Sequence, residues 1–158
     1  MTAADAPRGA PPDVRVRPAE ERDLARIHAI ERASFTDPWA LEGFRDTIEH
    51  QRARVEVAVG ADDQVLGYAV AWFVSDESEI ANLAVAPEAR RRRIGLLLLD
   101  RILEAAASLG ARTVFLEVRQ SNVAAQHLYA ARGFEVSGRR REYYRKPVED
   151  ALLMRRTL

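Results

Sequence analysis

The chain has 158 residues, enough for one domain with a real hydrophobic core. Its 24 basic and 24 acidic residues give zero formal net charge, which argues against a general binder of nucleic acid or of anionic membranes. There is no cysteine, which excludes thiol catalysis, disulfides and cysteine-ligated zinc, and the three histidines, His28, His50 and His127, make no metal-ligand spacing.

Residues 1–13 are rich in Ala and Pro without an apolar period, and read as a disordered tail ahead of a domain spanning 14–158. The tail lacks the apolar core of a signal peptide, and no run approaches the roughly 20 apolar residues of a membrane span. A soluble cytoplasmic chain is the expectation. Val14 and Val16 alternate with arginines as a short strand. Pro18 then opens a helix, with Glu20, Glu21 and Asp23 at its positive end and Leu24, Ile27 and Ile30 on one face. Ser34 to Trp39 (SFTDPW) is a turn, in which Thr36 or Asp37 is placed to cap a second helix with Pro38 at its first position. Leu41, Phe44 and Ile48 carry that helix on. Val55, Val57 and Val59 alternate as a strand, Asp62-Asp63 turns the chain, and Val65 to Val74 completes a hairpin. Glu79 to Val85 is a further strand, stopped by Pro87. Gly95 to Leu109 is a helix, with Leu98, Leu99, Ile102, Leu103 and Ala106 on its buried side and Gly110 as its stop. Thr113 to Val118 (TVFLEV) is nearly continuous in apolar residues, so both of its faces are expected to be covered. Asn122 to Arg132 is a helix ended by Gly133. Phe134 to Tyr144 and Ala151 to Arg156 are the last two strands. This order predicts an α/β fold with a mixed sheet of about seven strands, about four helices and one central strand–helix–strand crossover.

The crossover contains the most informative stretch, Arg90 to Leu99 (RRRRIGLLLL). A basic turn with a glycine that opens a helix suits a phosphate, because the helix start offers unpaired amides and the positive end of a dipole. Taken without their setting, the arginines read as a solvated charge cluster. Ligands in such sheets sit beyond the carboxyl ends of the parallel strands. The same edge receives Glu117, on one strand face with Phe115 and Arg119, and the helix start at Asn122, with Tyr129 about two turns on. A carboxylate at the end of a central strand is costly unless wet, paired or used. Glu117 is therefore either a salt-bridge partner near Arg119 or a general base. Tyr129 reads equally as a core aromatic with a bonded hydroxyl, and Asn122 as no more than a helix cap.

These residues resemble the GCN5-related N-acetyltransferases, over about residues 14–158. The family's turn pattern, Gln/Arg-x-x-Gly-x-Gly/Ala, reads Arg90-Arg91-Arg92-Arg93-Ile94-Gly95 here. It stands between IANLAVAPEAR and the string LEVRQSNVAAQHLYAARGF, Leu116 to Phe134. The ending RRREYYRKPVEDALLM, Arg139 to Met154, narrows the resemblance to the branch that acetylates a ribosomal protein. The resemblance implies the acyl-CoA N-acyltransferase fold, acetyl-CoA as cosubstrate and no metal. It implies that backbone groups of Leu83, Ala84 and Val85 pair with the pantetheine arm like an added strand. The turn from Arg90 through Arg91, Arg92, Arg93, Ile94 and Gly95 to Leu96 would hold the pyrophosphate, and Asn122 would bind the pantetheine. Glu117 would accept a proton from the amine, and Tyr129 would protonate the leaving thiolate. The acceptor would lie between the turn from Phe35 to Trp39 and the last hairpin around Tyr143 and Tyr144, although Trp39 and Tyr144 serve equally well as core residues. One position departs from the pattern: Arg93 stands where the first glycine belongs. Arginine is harmless there if φ is negative, whereas a positive φ calls for a displaced turn. Cofactor binding is expected to survive.

An amine attacks a thioester only when neutral. A free α-amine has a pKa of about 7.7 to 8.0 and a lysine side chain about 10.4, a difference of roughly 3.5 kcal/mol in deprotonation cost. A weak base such as Glu117 suits the α-amine. The expected activity is acetyl transfer to the N-terminal α-amine of an acceptor protein, by resemblance the N-terminal alanine of a small-subunit ribosomal protein. Transfer is direct, since no cysteine exists to be acetylated. No direct contact with nucleic acid or membrane is expected. Two other readings are a related enzyme acting on a lysine side chain or small amine, and a non-catalytic binder of coenzyme A or RNA, the latter disfavoured by the neutral charge.

Overall fold

The computed structural model describes residues 13–158, so the expected tail lies, but for Asp13, outside the described residues. In chain order the elements are β1 (Arg15–Pro18), α1 (Leu24–Ser34), α2 (Leu41–Glu49), β2 (Ala53–Val59), β3 (Val65–Val74), β4 (Glu77–Val85), α3 (Ile94–Ser108), β5 (Thr113–Arg119), α4 (Val123–Ala130), β6 (Glu135–Arg145) and β7 (Val148–Thr157). The seven strands form one sheet in the order β1-β2-β3-β4-β5-β7-β6. Every neighbouring pair is antiparallel except β4 and β5, which α3 connects as the expected crossover. This is the α/β architecture with four α-helices that the sequence order predicts.

Adjacent strand residues point to opposite faces, and β3 uses both. A Cβ on Gly67 would meet Leu98 of α3, whereas the next residue, Tyr68, bonds Glu31 of α1. The sheet is thus sandwiched between α3 on one side and α1 with α2 on the other. The predicted apolar side of α3, Leu98, Leu99, Ile102, Leu103 and Ala106, is buried throughout. Gly110 ends that helix with a φ of 84°, as a stop residue should.

Several local expectations are corrected. Pro18 remains in β1, and a single 3₁₀ turn, Glu21–Asp23, precedes α1, with Glu20 and Asp23 closing a reciprocal capping box. Neither Thr36 nor Asp37 caps α2, which starts at Leu41 after Ala40 without a side-chain cap. The Thr36 hydroxyl is instead engaged with the Lys146 carbonyl and with Arg119. The strand β5 is not covered on both faces. Val114, Leu116 and Val118 are buried, while Thr113, Phe115, Glu117 and Arg119 on the other face are only partly so.

Two irregularities distinguish β4. The β3 partner of Asn82 is Val70 and that of Ile80 is Ala71, so Ala81 is an extra residue, a β-bulge. Pairing with β5 runs only from Glu77–Thr113 to Ile80–Leu116. Beyond that point the two parallel strands part. Among the described residues no helix is long and apolar enough to cross a membrane.

Candidate active site

Where β4 and β5 part, Asn82 to Val85 keep β3 on one edge and have no β5 partner on the other. Such an edge accepts an extended ligand as an added strand. The start of α3 closes one end of this opening. Leu97 makes the first helical bond, its amide donating to the Arg93 carbonyl at 3.1 Å. The amides of Ile94, Gly95 and Leu96 precede it and have no partner within the helix. A Cβ on Gly95 would lie 3.2 Å from Leu128 of α4 and 3.9 Å from Leu83 of β4, so three elements meet closely at this residue. The three amides and the dipole of a 15-residue helix fit a pyrophosphate.

Arg93 has φ 61° and ψ 19°, and Arg91 has φ 64°. Arg93 itself takes the left-handed conformation that favours glycine. That conformation costs a non-glycine residue about 1–2 kcal/mol. Arg93→Gly is expected to raise the melting temperature by about 2–4 °C in a scanning fluorescence measurement, the relief of roughly 1 kcal/mol at this chain length. A lower melting temperature would overturn this account of the turn. The arginine side chains divide in use. Arg90 braces the turn, its Nε donating to the Val85 carbonyl at 3.2 Å, and Arg92 lies 3.7 Å from Asp13. Arg91 and Arg93 are exposed.

Glu117 lies on the β5 side of the opening, with its side chain 23% exposed. Its ion-pair partner is Arg140 of β6, whose Nε is 2.9 Å away, and not Arg119. Arg119 bonds Glu149 at 3.1 Å and stacks 4.2 Å over the Tyr144 ring. Three further groups respond to the Glu117 charge. Burial, then Glu117, pushes the Glu79 carboxyl up. The Glu117 carboxylate beside it raises the Tyr143 hydroxyl. Burial, then Glu117, pushes Tyr144 up to about 12. Tyr129, 7% exposed and set edge-on to Phe134 at 5.7 Å, is raised by burial and then by its proximity to Tyr144. Tyr144 is thus linked electrostatically to both Glu117 and Tyr129. Asn122 is the N-cap of α4, its Oδ1 accepting from the Ala125 amide at 3.1 Å.

On the opposite side of the opening, the turn from Phe35 to Trp39 is fastened to the β6–β7 hairpin. The Thr36 hydroxyl donates to the Lys146 carbonyl, and Arg119 donates to Thr36 Oγ1 at 3.1 Å and to the Pro147 carbonyl at 3.3 Å. Phe35 is half-buried, Trp39 packs on Phe44 at 5.2 Å, and exposed Tyr143 stands 5.1 Å from Tyr144. The two predicted acceptor walls are in contact.

Four residues at this site were not singled out by sequence reasoning. Glu79 and Arg140 become visible only through strand register, since Glu79 lies opposite Phe115, two residues before Glu117. Asn82 looks unremarkable until the bulge is known. Glu31 did leave a signal: it continues the buried helical stripe of Leu24 and Ile27 as a charged residue, 1% exposed. Among the described residues no group of His, Asp and Glu is placed to hold a metal.

The sequence profile of the acetyltransferase (GNAT) family matches residues 24–134. Over 135 residues the chain is 35% identical to the ribosomal protein bS18-alanine N-acetyltransferase of Salmonella typhimurium, covering 84% of this chain and 89% of that protein. A Bacillus subtilis protein provisionally given the same name is 36% identical over 140 residues, with 88% and 92% covered. The crystal structure of the ribosomal-protein-S18-alanine N-acetyltransferase from Escherichia coli superposes with a TM-score of 0.83 at 29% identity, over 91% of this chain and 93% of that one.

Proposed function

Because the chain belongs to the acetyltransferase (GNAT) family, it is an acetyl-CoA-dependent N-acetyltransferase, and we propose that its acceptor is the N-terminal alanine of ribosomal protein bS18. The observation that carries this reading is the opening between β4 and β5, with three free amides at one end, Glu117 along it and a fastened acceptor wall across from it. An acceptor that belongs to the ribosome places the reaction in the cytoplasm.

Bound acetyl-CoA supplies an activated acetyl carbonyl; the remaining work falls to the chain. The unpaired edge of Leu83, Ala84 and Val85 receives the pantetheine arm, and the amides of Ile94, Gly95 and Leu96 hold the pyrophosphate. Arg91 and Arg93 add charge at the mouth. The Asn122 Oδ1 is committed to its cap, which leaves its side-chain amide to donate to the arm. An amide of the Asn82–Val85 segment donates to the carbonyl oxygen as negative charge develops there.

Glu117 accepts the proton of the incoming α-ammonium. The neutral amine attacks the carbonyl and the nitrogen–carbon bond forms. As the carbon–sulfur bond breaks, Tyr129 gives its hydroxyl proton to the sulfur, and the second nitrogen proton leaves to solvent, which restores the tyrosine hydroxyl and takes the proton from Glu117. The Arg140 ion pair does not prevent this. Its guanidinium is 58% exposed, and pairs of that kind contribute about 0–1 kcal/mol, so it yields to an arriving ammonium. Burial keeps Tyr129 protonated through neutral pH, as a proton donor requires.

The test incubates the protein with acetyl-CoA and a peptide that begins with alanine and also contains lysine, and locates the label by mass spectrometry. Acetyl on the N-terminal nitrogen supports the reading, and label only on lysine rejects it in favour of a side-chain acetyltransferase. Calorimetry without acceptor tests the turn separately. Acetyl-CoA binding in the micromolar range is expected despite Arg93, and no binding below millimolar concentration would overturn it.

A further inference from the structure

Beneath the acceptor turn, one buried carboxylate touches both sides of the site. Glu31 projects from α1 and is 1% exposed. Its Oε1 accepts from the Tyr68 hydroxyl at 2.6 Å, and both of its oxygens accept from Asn82 Nδ2, at 2.5 and 2.9 Å. Its Oε2 also faces the backbone amide of Trp39 at 3.4 Å. Burial pushes this carboxyl up, against the downward pull of those same three donors. Among the described residues no cation bonds it, so there it is not half of a conventional salt bridge.

The partners are informative. Tyr68 belongs to the core, where it meets Phe44 edge-on at 5.5 Å. Trp39 ends the turn assigned to the acceptor. Asn82 directly follows the bulged residue Ala81 and directly precedes the donor-binding edge Leu83 to Val85. A bulge frees backbone groups from the ladder and leaves their direction to be fixed by something else. Here the Asn82 side chain fixes it, and Glu31 holds Asn82.

We propose that Glu31 is a positioning residue for acetyl transfer, holding through Asn82 the bulged stretch of β4 that receives the acetyl group, and through the Trp39 amide the turn that receives the amine. The inference rests on the donor and acceptor assignments above and adds what keeps the two in register. A misplacement of about 1 Å at a reacting centre costs on the order of 100-fold in rate. Glutamine at position 31 keeps the shape, but it has one acceptor oxygen and turns an N–H toward a cluster of donors.

The experiment compares Glu31→Gln, Asn82→Ala, the double variant and Tyr68→Phe. Glu31→Gln and Asn82→Ala are each expected to lower kcat by about 30-fold, with acetyl-CoA affinity by calorimetry within about 3-fold of wild type, since the amides at the start of α3 are untouched. The double variant should lie within about 3-fold of Asn82→Ala alone, because both act through one contact. Tyr68→Phe removes a core bond yet leaves Asn82 and Trp39 held. It should lower the melting temperature and change kcat by less than about 3-fold. Independently of turnover, hydrogen exchange in the free protein should quicken at least 10-fold in Glu31→Gln for whichever of the Asn82 and Leu83 amides faces β3.

A near-wild-type kcat for Glu31→Gln, multiplicative losses in the double variant, or an equal loss in Tyr68→Phe would each overturn the proposal in favour of a purely structural carboxylate. If Glu31→Gln does not fold, Asn82→Ala against Tyr68→Phe makes the same comparison. If the wild type transfers no acetyl, the assigned function fails, and the exchange rates alone decide whether Glu31 holds the strand.

Discussion

Glu117→Gln lowers kcat by about 10³-fold, within the usual range of 10²–10⁴ for losing a general base, while leaving acetyl-CoA affinity within about 3-fold of wild type. The separation follows from where the residue sits. Glu117 is on β5, across the opening from the β4 edge and away from the amides that start α3. Glutamine has the same size and still accepts a hydrogen bond from Arg140, so the exposed pair is not left as a buried unpaired charge. The melting temperature should therefore move little. Single-turnover transfer to an alanine-starting peptide, beside calorimetry with acetyl-CoA, measures both halves. Turnover within about 3-fold of wild type would remove Glu117 as the base and point to Glu79, the other carboxylate on that face, which burial and the Glu117 charge both raise.

Tyr129→Phe lowers kcat by about 10²-fold with a small change in stability. Phenylalanine fills the same space against Phe134, and only the hydroxyl is lost. The pH dependence adds a signature with a definite sign. A raised pKa means that the protonated, donating form persists to higher pH than in an ordinary tyrosine, which ionises near about 10. In the wild type no loss of rate from this group should occur below about pH 10. A limb that falls in the wild type between pH 8 and about 9.5 and vanishes in Tyr129→Phe would contradict the structural environment of the hydroxyl. A kcat unaffected by the substitution would return Tyr129 to the role of a core aromatic, which its burial also satisfies.

Regular periodicity made most of the fold legible. The apolar stripe of α3 and the glycine stop at Gly110 each report a local rule that the tertiary structure leaves intact. The errors fall where distant groups compete for a local signal. Thr36 looked like a helix cap, but its hydroxyl bonds a carbonyl 110 residues away, and α2 starts later without a cap. The run TVFLEV looked covered on both faces, yet Phe115 and Glu117 are only partly buried, and Glu117 lies just past the last β4–β5 pair. The candidate site was legible through its motifs at Arg90–Gly95 and Glu117–Tyr129. Arg140 and Glu79 were not, because they reach Glu117 across strand pairings that no sequence window contains.

Arg93 is a different case. Its identity departs from the pattern, and its backbone takes the left-handed conformation that favours glycine.

The gap between β4 and β5 has a kinetic consequence. The arm proposed to fill it is the same in acetyl-CoA and in the coenzyme A left after transfer. Strand-like contacts with that arm stabilise substrate and product alike, so they raise occupancy without lowering the barrier to acetyl transfer. The spent carrier then competes with the fresh one for the same edge. Departure of coenzyme A becomes a candidate for the slowest event in each cycle, and the ratio of acetylated to free carrier, more than the amount of either, sets how fast the protein works.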